Sequence, residues 1–284
     1  MRGERGRLSE FLERHRHVRR VTLLARRYYD HQVAHDSAAL TYYLLFSLFP
    51  LLIFFNNLVG LLSFDPGALF TELLTVIPRD VVDLLEQYRA YVSRVSSRTL
   101  LWFSLVFTIY FPYRAVNALF LSVRKAYDVG MPRRFLRHQL RVLFYTILLI
   151  ATIILSVAVA SVGRRALEFA ADYVYISDAA IVLWTRLRFV FLSAVLFVMI
   201  ALLYALALDG KQLRRGIWPG VLASLAAWVG LSMLFSLYVE HAARYSLIYG
   251  SIGAIIVLLL WLYLSAFTLI MGAEFNSVLL DTKN

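Results

Sequence analysis

The sequence predicts an all-α membrane protein with six transmembrane helices. Long apolar segments, a low content of charged residues and an uneven distribution of basic residues support this fold class. Hydrophobic residues make up 61% of the chain and charged residues 17%, whereas soluble domains average about 45–50% and about 25%. Each apolar segment has at least the roughly 20 residues that cross a bilayer core as a helix. The predicted spans are Ala38–Ser63, Leu100–Ser122, Leu140–Gly163, Ala179–Leu208, Ile217–Val239 and Ile248–Leu280.

The basic residues predict the orientation of these spans. If successive connections alternate between the two sides, 19 of the 29 Lys and Arg residues fall on one side and seven on the other. Basic connections stay in the cytoplasm, so both termini are expected on the cytoplasmic side of the membrane. The net charge of +11 is explained by this topology and by anionic headgroups. Membrane lipids are therefore the expected partners, and nucleic acid is not.

Three regions are expected along the chain. Residues 1–36 are predicted to form a cytoplasmic or interfacial basic segment, because apolar residues at helical spacing alternate with arginines there. Residues 37–280 form the six-helix transmembrane domain, and residues 281–284 form a cytoplasmic tail. The outside loop at residues 64–99 contains a second predicted amphipathic helix. No cleavable signal peptide is visible, so the first span is expected to be an uncleaved anchor.

Two prolines fall inside predicted spans. Pro50 lies near the middle of the first span and predicts a kink, because proline removes one backbone hydrogen bond. In the second span, Leu100–Phe111 offers only 12 residues, so the helix must continue through Pro112. That continuation places Arg114 and Asn117 in the membrane or at its inner boundary.

Small residues mark the start of the fifth span. Gly216, Gly220 and Ser224 recur at intervals of four and form a stripe that lets helices approach closely. Packing is the favoured explanation of this stripe.

Arg114 and Glu274 are the charged residues that most need an explanation. A charge at the bilayer centre costs about 2.5–3.5 kcal/mol even on the gentler insertion scale. Both residues lie toward the predicted cytoplasmic ends of their spans, so a direct pair is conceivable. A structural pair or snorkelling is favoured over substrate binding. Asn117 and Asn276 complete the candidate substrate or ion pathway, although Asn276 points to a different helix face from Glu274.

Catalytic and metal-binding motifs are weak in this chain. His31 and His35 have the spacing of two zinc ligands on one helix face, but no third ligand and no helix-borne glutamate accompany them. An interfacial polar surface is the favoured explanation, so no metal or cofactor is predicted. The sequence also lacks a phosphate-binding glycine loop, a nucleophile elbow and an acidic cluster suited to two-metal chemistry. No enzymatic function is predicted.

Several segments together resemble the YihY/BrkB family of bacterial inner-membrane proteins. The last of them is the most specific, and the similarity covers nearly the whole chain. One departure follows the fourth span, where Leu208-Asp209 replaces a Pro-Asn pair that members often carry. The segments are Ala38–Tyr43, Ser47–Pro50, Trp218–Gly220, Leu237–Val239, Tyr249–Ala254, Leu260–Tyr263 and Gly272–Asn276.

The resemblance implies six transmembrane helices and an inner-membrane location, but no catalytic residue. Members have carried a ribonuclease BN label, and others are associated with resistance to serum killing or with lipid A export. The favoured hypothesis is a transporter or envelope-maintenance protein that handles a lipid or another amphipathic anion. A non-transporting scaffold or lipid-organising protein is the alternative, and a ribonuclease is the least favoured.

Overall fold

The structure, a computed structural model, describes residues 16–61, 98–132, 134–161, 178–208 and 216–282. These residues form helices and contain no strand, which confirms the predicted all-α fold. The amphipathic helix predicted in the outside loop lies outside the described residues. The helices are α1 (Arg16–Asp30), α2 (Val33–Leu61), α3 (Arg98–Ala126), α4 (Phe135–Ser161), α5 (Asp178–Ala207) and α6 (Trp218–Asp281).

Six stretches of these helices are long and apolar enough to cross a membrane, as the sequence predicts. Both α2 and α3 continue through their internal prolines, Pro50 and Pro112. The second span therefore extends to the end of α3 and includes Arg114. The stretches are Val33–Phe54, Thr99–Ala126, Phe135–Ser156, Leu187–Ala207, Trp218–Val239 and Ile255–Asp281.

A tight turn separates α1 from α2. The amides of His31 and Gln32 donate to the carbonyls of Arg27 and Tyr29 at 2.9 and 3.1 Å. Gln32 has a left-handed backbone with φ of 55°, which a continuous helix does not allow. His31 therefore lies in the turn and His35 in α2, so the helix face that their spacing predicted does not form.

The long helix α6 contains two of the six apolar stretches. The Gly220 amide donates to Asn276 Oδ1 at 2.9 Å, and Trp228 Nε1 donates to Ser265 Oγ at 3.2 Å. A straight helix would separate the first two residues by about 84 Å at 1.5 Å per residue. The helix therefore reverses direction between the two stretches. Its halves lie antiparallel, as expected for two successive crossings.

The chain divides into two compact units, one of residues 1–41 and 116–284 and one of residues 42–115. The core of the first unit contains aromatic side chains with polar anchors. The Tyr145 hydroxyl of α4 donates to the Met199 carbonyl of α5 at 3.1 Å. Tyr204 of α5 is fully buried and donates to the Leu269 carbonyl of α6 at 2.6 Å. These bonds hold α4 against α5 and α5 against α6, because each buried hydroxyl needs a hydrogen-bond partner.

The second unit packs α2 against α3 through aromatic rings. The ring centroids of Phe46 and Phe111 lie 5.9 Å apart across the two helices. Tyr42 and Phe107 extend the contact on either side, at 4.5 Å from Phe46 and 5.8 Å from Phe111. Such pairs add about 0.5–1.5 kcal/mol each beyond the burial of their area.

The two halves of α6 approach closely at Gly220 and Gly272. A Cβ added there would lie 2.6 Å from Asn276 Cβ and 2.8 Å from the Gly272 carbonyl oxygen. A Cβ at Gly272 would in turn collide with Ser224 Oγ. Gly216 differs, because its φ of 91° requires glycine although no atom crowds it. The stripe therefore combines close packing at Gly220 with a backbone requirement at Gly216.

We expect Gly220→Ala to lower the stability of the folded protein by about 1–3 kcal/mol, because the added methyl overlaps backbone and side-chain atoms. Thermal unfolding of the purified protein in detergent measures this change. Gly230→Ala in the same helix is the matched control, since a Cβ there meets nothing within 4 Å. Alanine favours a helix by about 1 kcal/mol over glycine, so the control should be neutral or stabilising. Equal melting temperatures in both variants would contradict the close approach.

Candidate functional site

Glu274 is buried near one end of the last span. It is the twentieth of the 27 residues in Ile255–Asp281, and its side chain is 0% exposed. Oε1 lies 2.6 Å from His31 Nδ1, and Oε2 lies 3.5 Å from Arg27 Nη1. Oε2 has no hydrogen-bond partner among the described residues. A buried carboxylate is tolerated when cations and donors compensate it, and here both compensating groups come from the N-terminal region.

Arg27 connects three parts of the chain at this point. Its guanidinium donates to the carbonyl of Ala126 at 2.7 Å and to Ser277 Oγ at 2.9 Å. It also pairs with Asp128 at 3.0 Å and with Asp281 at 2.7 Å. The bond to Ala126 satisfies a carbonyl that the end of α3 leaves without a helical partner. Arg27 therefore holds α1 against the ends of α3 and α6.

We call the five ionisable residues at this point the Glu274 cluster: Arg27, His31, Asp128, Glu274 and Asp281. Lys125 adjoins the cluster, because its Nζ donates to the His31 carbonyl and to Asp36, each at 2.8 Å. The cluster thus joins α1, the start of α2, the end of α3 and the end of α6. In the six-span topology, these helix ends are separated by an even number of membrane crossings. They are therefore expected on the same side of the membrane, and in the first unit they lie together.

Arg124 joins another helix end to this region. It is buried, and its Nη1 donates to the Ala207 carbonyl at 2.9 Å. Its Nε and Nη2 also donate to the Gly130 carbonyl, at 3.1 and 2.6 Å. A cation at the carboxyl end of α5 complements the helix dipole. Arg124 is thus a structural cation between α3 and α5 and not simply part of a basic loop.

Asn276 is buried and held by three partners. Oδ1 accepts the Gly220 amide, while Nδ2 donates to Tyr127 Oη at 2.6 Å and to the Gly216 carbonyl at 2.9 Å. No side chain caps the start of α6 locally, so Asn276 supplies an acceptor for one of its free amides. Burial raises the pKa of Tyr127 to about 12, which keeps its hydroxyl neutral. These bonds give Asn276 a structural role.

Asn117, the candidate on α3, has a histidine partner in the same unit. His138 Nε2 of α4 lies 2.8 Å from Asn117 Oδ1, so the imidazole donates from Nε2. This contact links α3 to α4.

Arg114 has a different environment. It is the sixteenth of the 28 residues in Thr99–Ala126, close to the middle of the second span, because α3 extends beyond the predicted end of that span. Its Nη2 donates to the Tyr43 hydroxyl at 3.2 Å, and its guanidinium lies 5.4 Å from the ring centroid of the same tyrosine. The side chain is exposed. In the described parts of the chain, no carboxylate pairs with it.

The structure therefore supplies different partners for the two charged candidates. Glu274 contacts Arg27 and His31 within the first unit, and Arg114 contacts Tyr43 within the second. The direct Arg114–Glu274 pair considered from the sequence stays a prediction.

Sequence reasoning missed the roles of Arg27 and Asp128. Arg27 is one of several arginines in the predicted interfacial segment, and no pattern in the sequence distinguishes Asp128. Their contacts join residues 101 and 254 positions apart in the chain, which no local spacing reveals. The sequence contains one indication of such a contact. A buried carboxylate is costly without a cation nearby, so Glu274 requires a basic partner from elsewhere in the chain.

His31 and His35, the two histidines with the spacing of zinc ligands, have different surroundings. His31 contacts Glu274, whereas His35 is exposed and lies 3.7 Å from Asp36. Within the described ranges, no group of three His, Cys, Asp or Glu side chains could hold a metal ion.

Six apolar helical stretches define a polytopic helical membrane protein, and an ion cluster surrounds its buried Glu274. Comparison with known sequences identifies its relatives. The family described as Virulence factor BrkB matches residues 24–284. A Bacillus subtilis protein named ribonuclease-like protein YfkH is 33% identical over 257 residues, which cover 90% of this chain and 94% of the relative. The chain therefore belongs to the YihY/BrkB family, which confirms the resemblance seen in its motifs.

Other relatives match over a smaller share of their own length. A UPF0761 membrane protein of Xanthomonas oryzae is 26% identical over 263 residues, which cover 89% of this chain and 59% of the relative. The chain thus spans about three fifths of the length of that relative. A UPF0761 membrane protein of Alteromonas mediterranea is 33% identical over 76 residues, or 27% of this chain and 26% of the relative. No solved structure matches the chain.

We expect Arg27→Gln to lower stability by about 2–4 kcal/mol, because it leaves the buried Glu274 without its cation. The matched control is Arg26→Gln. Arg26 is 77% exposed and, among the described residues, pairs with Asp30 on its own helix, whereas Arg27 is 15% exposed. The control should change stability by less than about 0.5 kcal/mol. Thermal unfolding in detergent compares the two variants, and an equal effect of both would contradict the assigned role of Arg27.

Proposed function

We propose that this chain is an inner-membrane transporter or envelope-maintenance protein that handles a lipid or another amphipathic anion. The observation that carries the proposal is Arg114, an exposed cation near the middle of an apolar span. Intramembrane charges are costly, and those that persist usually serve a substrate or ion path unless a counter-charge explains them. Arg114 has a tyrosine hydroxyl and ring as described partners, and no described carboxylate pairs with it.

The chemistry of Arg114 favours an anionic ligand. A guanidinium offers several donors in a planar fork that suits phosphate and carboxylate groups. One of its terminal nitrogens already donates to Tyr43, which restricts the orientation of the fork. The surrounding aromatic rings of the second unit provide an apolar surface for the non-polar part of a ligand. Such a combination fits an amphiphile better than a small inorganic ion.

The proposed orientation places the Glu274 cluster on the cytoplasmic side. The connections that meet there include α1 and the segment after α3, both rich in arginine. Basic residues near span ends are retained in the cytoplasm and are attracted by anionic headgroups. Both termini are therefore proposed to be cytoplasmic, and the membrane to be a bacterial inner membrane.

A scaffold and a ribonuclease are the two alternative functions, and each has its own structural requirements. A scaffold or lipid-organising protein needs no substrate path, and the close packing at Gly220 and Gly272 would suit such a rigid body. A ribonuclease activity is suggested by names that relatives carry, such as that of the Bacillus subtilis protein. The transporter proposal is preferred because neither alternative gives the membrane-embedded Arg114 a role.

We expect Arg114→Gln to slow the movement of an anionic lipid probe by at least about tenfold, because the variant loses a charge-assisted contact. The assay uses fluorescent phosphatidylglycerol in proteoliposomes, with fluorescent phosphatidylcholine as the zwitterionic comparison. Tyr43→Phe should cause a smaller loss, because Arg114 then lacks its hydroxyl acceptor. Tyr42→Phe is the matched control: this exposed neighbour lies outside the Arg114 contact and should leave the rate unchanged.

Two outcomes would count against the proposal. Unchanged phosphatidylglycerol movement in folded Arg114→Gln protein would remove Arg114 from the path. Absence of movement of any lipid by the unaltered protein would favour the scaffold.

A further inference from the structure

The exposed side of α1 is apolar, although the helix as a whole is rich in arginine. We call the residues that share this side the α1 stripe: Val18, Val21, Ala25 and Tyr29, at intervals of three and four. All of them are exposed, Val21 at 68% and Tyr29 at 75%. The opposite side of the helix presents Arg27 to α6. A helix on a water-facing surface has the reverse arrangement, with its polar side outward, so the α1 stripe indicates a neighbour other than water.

The helix α1 lies beside the end of the last span. Arg20 Nε donates to Thr282 Oγ1 at 3.2 Å, and the ring centroids of Tyr28 and Phe267 lie 6.1 Å apart. As α1 advances from Arg20 to Tyr28, its partners on α6 therefore move back from Thr282 to Phe267. The contacts of Arg27 with the last turns of α6 fall between these two. The two helices are antiparallel neighbours, and Phe267 is the thirteenth of the 27 residues in the last span.

The level of α1 along the last span identifies its surroundings. The span has 27 residues, more than the roughly 20 that cross the hydrocarbon core, and its final turn includes Asp281. These final turns therefore extend among the lipid headgroups, and α1 borders them. The α1 stripe lies where headgroups meet acyl chains, with Tyr29 at its deeper end. Tyrosine is enriched at this level because its ring is apolar and its hydroxyl is polar.

Two arginines border the α1 stripe on one side. Arg19 and Arg26 are seven residues apart, so they share a helix face and are separated by about 10 Å along the axis. Both are exposed. Arg26 Nε donates to Asp30 at 3.2 Å, and among the described residues its two terminal nitrogens have no partner. A guanidinium fork suits phosphate oxygens, so α1 combines an apolar stripe with phosphate-binding cations.

We propose that the α1 stripe, together with Arg19 and Arg26, binds anionic phospholipid in the leaflet where the last span ends. The acyl chains lie against the stripe, and the phosphates accept hydrogen bonds from the two arginines. Helices that bind anionic membranes combine the same features. A second copy of the chain fits less well, because two-fold symmetry would bring the same arginines of both copies together. The inference does not depend on transport, since this lipid is bound and not moved.

The absence of cysteine permits a direct test with a bimane fluorophore at Val21→Cys. The full chain is reconstituted in vesicles that contain phosphatidylglycerol or phosphatidylcholine with brominated acyl chains. Bromine quenches the fluorophore from the lipid, and iodide quenches it from the water. Ile147→Cys is the reference for lipid exposure, because Ile147 is exposed inside the span Phe135–Ser156. We expect brominated phosphatidylglycerol to quench both fluorophores, and iodide to quench the one at Val21 only weakly.

Arginine variants then test the preference for anionic lipid. In the Val21→Cys chain, brominated phosphatidylglycerol should quench more strongly than brominated phosphatidylcholine at the same mole fraction. Arg19→Gln combined with Arg26→Gln should lower this preference by at least about fivefold, because each basic residue near the surface strengthens the attraction by about that factor. Arg134→Gln combined with Arg137→Gln is the matched control. It removes the same charge from exposed arginines at the start of α4 and should retain the preference.

Four outcomes would overturn the proposal. Strong quenching by iodide without quenching by bromine would place the α1 stripe in water. Protection from both quenchers would show that a second copy of the chain covers it. Equal quenching by the two brominated lipids would show contact with lipid but no anionic site. An equal loss of preference in both pairs of arginine variants would attribute it to overall charge and not to α1.

Discussion

The need to neutralise a buried carboxylate determines the arrangement at one end of this protein. Glu274 lies inside the last apolar stretch, where a lone negative charge would be costly. Its two neighbours, Arg27 and His31, come from the N-terminal region, more than 240 residues away in sequence. The pairing therefore fixes where α1 lies. It also brings the beginning and the end of the described chain to the same side.

Helix termini in this region are completed by distant side chains. Arg27 donates to the last carbonyl of α3, Arg124 to the last carbonyl of α5, and Asn276 accepts an amide from the first turn of α6. Each helix end leaves backbone groups without intrahelical partners, and such groups need a protein partner where they are buried. Long polar side chains from other helices meet this need. The same contacts stabilise the antiparallel order of the spans.

The sequence predicts the six spans well because apolar length is a local property, while the orientation that its basic residues indicate stays a prediction. It places the second span through Pro112 and two crossings within the segment that α6 covers. It cannot predict that Asn276 completes the start of α6 or that Arg27 neutralises Glu274, since these contacts depend on how distant helices pack. Local spacing also misjudged His31 and His35, because the left-handed Gln32 interrupts the helix that would align them.

Hydrogen–deuterium exchange tests the central claim, that Glu274 holds α1 in place, most directly. The full chain in nanodiscs would be compared with Glu274→Gln, which keeps the size of the side chain and removes its charge. Local opening exposes backbone amides to exchange. We predict faster exchange across α1, by about tenfold if the lost contact is worth about 1.4 kcal/mol, with unchanged exchange in α4. Identical exchange of α1 in both proteins would contradict the account.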